Sequence, residues 1–158
     1  MGSDILYQPP VGALVRRATA EAIVDDVLHK DESYWCCGNC HGAIHLGTNL
    51  SFDPSLVILF ARGYGFHIQI TRAEGTSRDT CIASGNDDFQ DVVRVWAGQN
   101  DIRLPRAFFI DRCQAAEVVE TFCRTGQRSP GVKWVNKRTT DWEFYDPDAD
   151  EDDDEQGD

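Results

Sequence analysis

Residues 109–134 read F-I-D-R-C-Q-A-A-E-V-V-E-T-F-C-R-T-G-Q-R-S-P-G-V-K-W, and the fold follows from this stretch. Asp111 is placed to accept from the first unsatisfied N–H groups of a helix, and Gln114, three residues on, can reach back in a capping box. Ala115, Val118, Val119, Phe122 and Cys123 recur at helical spacing and share one face, while Glu117, Glu120, Thr121 and Arg124 fall on others. Gly126 can adopt the left-handed conformation that stops a helix, and Pro130 prevents its resumption. Val132 and Trp134 follow at strand spacing. The stretch therefore predicts a capped amphipathic helix that lies on a sheet and feeds back into it.

Upstream, Leu56 to Phe60 is a continuous apolar run, as expected of a central strand. Arg62–Gly65 is a turn, after which Phe66, Ile68 and Ile70 alternate with His67, Gln69 and Thr71. His67 is expected on the solvated side of that strand. A short strand around Cys81 and Ile82, a strand from Asp91 to Trp96, a turn at Gly98–Asp101 and a strand from Arg106 to Ile110 lead into the helix. Val132–Asn136 and, more weakly, Asp141–Tyr145 are the last strand candidates. Near the N-terminus, Pro9, Pro10 and Gly12 mark residues 1–12 as an irregular entry. Ala20, Ile23, Val24, Val27 and Leu28 then form the apolar face of a second helix over Thr19–His29, with Thr19 as its cap.

Short polar connections favour antiparallel pairing. The expectation is a single α+β domain over residues 1–145: an antiparallel sheet of about five to six strands with two main helices packed on it. Residues 146–158 hold nine carboxylates and no Lys or Arg, so they are expected to form a disordered acidic tail. They also account for most of the net charge of −12, since the remainder has 18 acidic and 15 basic residues, a net −3.

With 158 residues there is room for one ordinary core. No apolar run is long enough to span a membrane, and no charged leader followed by an apolar core opens the chain, so a cytoplasmic location is expected. Six cysteines in that compartment are expected to be reduced thiols. No basic stripe of the kind that holds nucleic acid is present, and a basic protein partner suits the sign of the charge better.

The stretch S-Y-W-C-C-G-N-C-H-G-A-I-H-L-G (residues 33–47) is the one that could carry inorganic chemistry. Cys37, Cys40 and His41 match the C-x-x-C-H string of c-type haem attachment. That chemistry takes place outside the cytoplasm, and the single Met is Met1, which cannot serve as an axial ligand. Zinc bound by Cys37, Cys40, His41 and His45, with Cys36 nearby, is the alternative, and it would make the chain a small metal-binding module. The adjacent Cys40 and His41 cannot easily ligate together with Cys37, and no second C-x-x-C follows. A glycine-rich loop of reduced thiols is preferred, so no cofactor is expected. No G-x-S-x-G, phosphate-binding loop, H-E-x-x-H or H-x-E with a downstream P-C-x-x-C is present, and no enzyme activity is expected.

The ordered set of Ala116 and Phe122 on the helix, Gly126 at its end, Arg128 and Pro130 after it, and Trp134 four residues beyond Pro130 resembles the C-terminal signature of an immunity-protein family from bacterial polymorphic toxin systems. The resemblance covers residues 56–134. It implies an inhibitor that binds a cognate deaminase or nuclease toxin and occludes its active or substrate-binding site; nothing in the sequence suggests more than a monomer before binding. Such toxins are basic where they hold phosphates, so the acids of the strand loops are the expected contacts: Asp87, Asp88, Asp91 and Asp101. Trp96 or Tyr64 is the expected aromatic anchor, since hot spots favour Trp, Tyr and Arg. Each acid has a plainer reading as a turn carboxylate, as Trp96 has as a half-buried core residue. Arg128, Pro130 and Trp134 are assigned to the fold.

Overall fold

A computed structural model describes residues 4–36, 41–47, 53–97 and 100–138. Asp141–Tyr145, the 146–158 segment, Cys37 and Cys40 lie outside these residues.

The helix over 112–125 forms as its sequence dictates. In α3 (Arg112–Thr125) the Asp111 carboxylate accepts from Gln114 N at 2.7 Å, and the Gln114 side chain accepts from Asp111 N at 3.1 Å. Gly126 ends the helix at φ 66, the left-handed region that glycine enters without penalty. The Arg72 guanidinium donates to the Gly126 carbonyl and satisfies an end group that would otherwise be exposed. Val118, Val119 and Phe122 are fully buried, each stabilising the fold by about 1.5–3 kcal/mol.

α1 (Ala20–His29) is capped by Thr19, whose hydroxyl accepts from Ala22 N at 3.2 Å. It packs against α3, and Arg112 ties the two together by donating to the carbonyls of Val27 (2.6 Å) and Lys30 (2.7 Å) at the end of α1. A one-turn helix, α2 (Glu32–Trp35), adds a third. Its Trp35 is fully buried and meets Phe66 edge-on at 5.4 Å.

These helices cover one face of a seven-stranded antiparallel sheet. Its strands are β1 (Ile5–Gln8), β2 (Val15–Arg16), β3 (His41–Leu46), β4 (Ser55–Ala61), β5 (Gly65–Glu74), β6 (Ser77–Ser84) and β9 (Lys133–Asn136), in the order β2-β1-β3-β4-β5-β6-β9. Ile44, Leu56, Ile58, Phe66 and Ile68 point into the helix-side core. β7 (Val92–Ala97) and β8 (Asn100–Pro105) pair only with each other, in a separate hairpin. The molecule is a single α+β domain, and among the described residues no helix is long and apolar enough to cross a membrane.

Several sequence expectations are corrected. Residues 5–8 form a strand although Pro9 and Pro10 follow at once; the alternation of Ile5 and Tyr7 inward is only four residues long. Residues 41–46 are a strand rather than a loop. Gly42 belongs to its buried face, where a Cβ would sit 3.4 Å from the Trp35 ring. The strand expected at Arg106–Ile110 lies at Asn100–Pro105, which includes Asp101, expected in a turn. Arg106–Phe108 is a 3-10 turn, and Ile110 makes only a single bridge, to Phe66. His67 is 2 % exposed rather than solvated, because the hairpin and the 106–109 segment cover this part of the sheet's second face.

Trp134 is half-buried against the helix-side core, paired with Ala83 across the β6–β9 ladder, and donates from Nε1 to the Ser129 carbonyl at 2.8 Å. Because the ring keeps part of its surface in water, Trp134→Ala is expected to cost about 2 kcal/mol, below the range for a fully buried tryptophan. A urea-denaturation midpoint that does not move would contradict this role.

Candidate partner-binding site

The hairpin is a strand pair with two faces of different character. Val93, Val95 and Leu104 turn inward and join Ala61, Ile82, Phe108 and Phe109 in a second core, with Ile102 partly buried beside them. The opposite face carries Arg94 and Trp96 on β7, and Arg103 and Asp101 across from them on β8. Alternation along the strands fixes this division, since successive side chains point to opposite faces. Trp96 is 66 % exposed, the most exposed large apolar side chain among the described residues. The plainer expectation, a half-buried core tryptophan, is therefore overturned.

Asp101 sits across from Trp96 and receives Arg94 through Nε at 2.7 Å and Nη2 at 2.5 Å, both on Oδ2. That hydrogen bond, aided by the charges of Arg94 and Arg103, holds the Asp101 carboxyl below the usual carboxylate range. Asp91, at the root of the hairpin, pairs with Arg106 at 2.9 Å, and the Arg106 guanidinium lies 5.3 Å from the Tyr64 ring centre. Tyr64 in turn packs on Phe109 at 5.7 Å and is half-buried, so it is a wall of the site rather than its projecting anchor. Asp87 pairs with Lys133 at 2.5 Å. Asp88 accepts from Gln90 N at 3.0 Å, the geometry of a turn carboxylate.

Thus three of the four expected acids arrive already paired with a cation, and the surface is mixed in sign rather than acidic. Two groups form: Trp96, Asp101, Arg94 and Arg103 on the outer face, and Asp91, Arg106 and Tyr64 at the root. Asp91 and Trp96 are five residues apart, roughly 17 Å along a strand. A standard interface covers about 800 Å² per partner, roughly 28 Å across, so both groups fit under one footprint. The arginines are what sequence reading missed. Arg94 and Arg103 alternate with buried aliphatic residues, a signal that was present in V-V-R-V-W and I-R-L-P.

The two buried thiols and the buried histidine are poorly placed for covalent chemistry. Burial pushes the Cys123 thiol up to about 12 and the Cys81 thiol above its ordinary value, so neither supplies a thiolate nucleophile at neutral pH. Burial likewise pushes the His67 imidazole down to about 4. For zinc, His41 and His45 do lie on one face of β3, but four residues of extended strand separate them by roughly 13 Å. That is too far for both rings to reach one tetrahedral ion through bonds of about 2 Å. Among the described residues no three potential ligands converge.

No protein-family model and no curated protein matches the chain.

Proposed function

We propose that this chain is an immunity protein that neutralises a cognate bacterial toxin, a deaminase or nuclease acting on nucleic acid, by one-to-one occlusion in the cytoplasm of the producing cell. The observation that carries this is Trp96. A large ring stands two-thirds exposed on a hairpin whose other face is anchored in a core of its own. Around it, the Arg94–Asp101 pair forms a polar rim already held in place. An exposed aromatic anchor within a polar rim is the anatomy of a binding hot spot. The resemblance carried by Ala116, Phe122, Gly126, Arg128, Pro130 and Trp134 supplies the class of partner. These residues build the helix end and its return to the sheet, so they hold the scaffold while the hairpin meets the toxin.

Because Asp87, Asp91 and Asp101 are paired, local attraction to a basic toxin is weaker than their number suggests. Long-range steering comes instead from the net charge of −12, most of it in residues 146–158.

Trp96→Ala is expected to weaken the toxin complex by about 2 kcal/mol, roughly thirtyfold, while leaving the unfolding free energy within about 0.5 kcal/mol of wild type. The partner is identified by pull-down from the native cell, and its activity is assayed with the purified inhibitor. Loss of that activity at one-to-one stoichiometry supports the function; full toxin activity in the presence of excess inhibitor overturns it.

A further inference from the structure

Of the four large apolar side chains exposed among the described residues, Trp96 is one, and the other three fall within residues 11–15: Val11, Leu14 and Val15, 42–45 % exposed. Val15 borders a cavity of about 410 Å³ between the N-terminal segment and α1. Its walls include Pro9 and Ala22, and a carboxylate, Asp26, lines it between two phenols. The Tyr7 hydroxyl (3.2 Å) and the Tyr34 hydroxyl (3.0 Å) both donate to the same oxygen of Asp26, Oδ2, and leave Oδ1 for another donor. Burial holds both phenols above their ordinary range, Tyr34 at about 12, so they remain donors throughout the physiological range. The Tyr34 ring already accepts one cation, with Lys30 Nζ 5.4 Å from its centre.

We infer that this cavity takes an arginine side chain of a basic protein partner. A guanidinium is planar and strongly donating; it can fork onto the carboxylate and stack on a tyrosine ring, while its aliphatic stem suits the apolar walls. Val15 at the rim then meets the partner surface around the inserted residue. Arg17 also lines the cavity and offers a donor to a partner carboxylate beside the inserted arginine. The inference depends on the toxin reading only for the partner's identity, because the cavity can be probed by itself.

The test titrates isotope-labelled protein with N-acetyl-arginine amide and, separately, with the neutral isostere N-acetyl-citrulline amide, following backbone amide shifts. Saturable shifts are expected at Ala18, Thr19, Ala22 and Tyr34, with citrulline binding about tenfold weaker or more. Asp26→Asn should abolish the difference between the two probes. Ala22→Leu, at an exposed helix position that lines the cavity, should block binding without touching the tyrosine–carboxylate set. Equal binding of the two compounds, no shifts at these amides, or unaltered binding in Ala22→Leu would overturn the proposal. Any of these outcomes would leave toxin neutralisation through the hairpin standing.

Discussion

Gly65→Ala is expected to destabilise the protein by about 3 kcal/mol or more, because it combines backbone strain with a clash in a packed region. Gly65 opens β5 at φ 108, outside the region open to L-residues. A methyl group there would run into the Ile110 carbonyl. That carbonyl accepts from Phe66 N at 2.9 Å, and Ile110 N donates back to Phe66 O at 2.8 Å. The bridge joins the start of β5 to the residue just before the Asp111 cap, so the variant pushes the α3 entry away from the core. Chemical denaturation of Gly65→Ala beside Gly63→Ala checks the cause. Gly63 also has a positive φ, 80, but open space around it, and should show only the conformational part of the loss.

Acid is expected to remove about 3 kcal/mol of stability through His67 alone between pH 6.5 and pH 4. The ring is fully enclosed. Phe108 O can only accept, so Nδ1 carries the proton and donates to it at 3.0 Å, leaving Nε2 to accept from the Gln69 amide at 2.8 Å. Neutral imidazole thus satisfies both contacts. A second proton would set two donors against each other at Gln69 and would bury a charge. In the folded state burial depresses the pKa to about 4 from the ordinary 6.5, so across this interval the unfolded chain binds more protons. Stability therefore rises with pH through the window, is fully present above 6.5 and is lost as pH falls through 4. Urea midpoints measured over this range for wild type and His67→Gln decide the point. The non-titrating variant should show a shallower fall, and equal slopes would remove His67 as the source.

His67 also shows where sequence patterning stops. F-H-I-Q-I-T alternates cleanly, and alternation identifies which residues share a face but not whether a second layer covers that face. A hairpin from 25 residues further on does the covering. The same layer turned the expected strand at Arg106–Ile110 into a 3-10 turn, because a chain crossing from the hairpin to the helix cap must bend. Likewise the glycines and cysteines of residues 36–42 suggest a loop where β3 begins. At Gly42 a Cβ would already touch the ring of Trp35, on a different element, so this glycine belongs to a packed face and not to a turn.

The candidate site divides in the same way. Trp96 and Tyr64 were visible as aromatic residues, and the acids of the loops as carboxylates. Which of them projects, which stacks beneath an arginine and which is neutralised depended on cross-strand register. Asp101 meets Arg94 because their strands pair at that offset, and nothing local to D-I-R specifies it.

What the sequence determined by itself was local: the capping box at Asp111, the apolar face of α3, the left-handed stop at Gly126, the first helix with its Thr19 cap, and the β4–β5 hairpin. Each rests on hydrogen bonds and periodicities that span fewer than about a dozen residues, so the residues that cause the feature are also its neighbours in the chain. Tertiary structure decided that the sheet has seven strands, that a separate hairpin forms a second core on its back, that His67 is dry, and that Trp96 faces outward. Those outcomes depend on which elements meet, and burial is a property of the meeting, not of either segment before it.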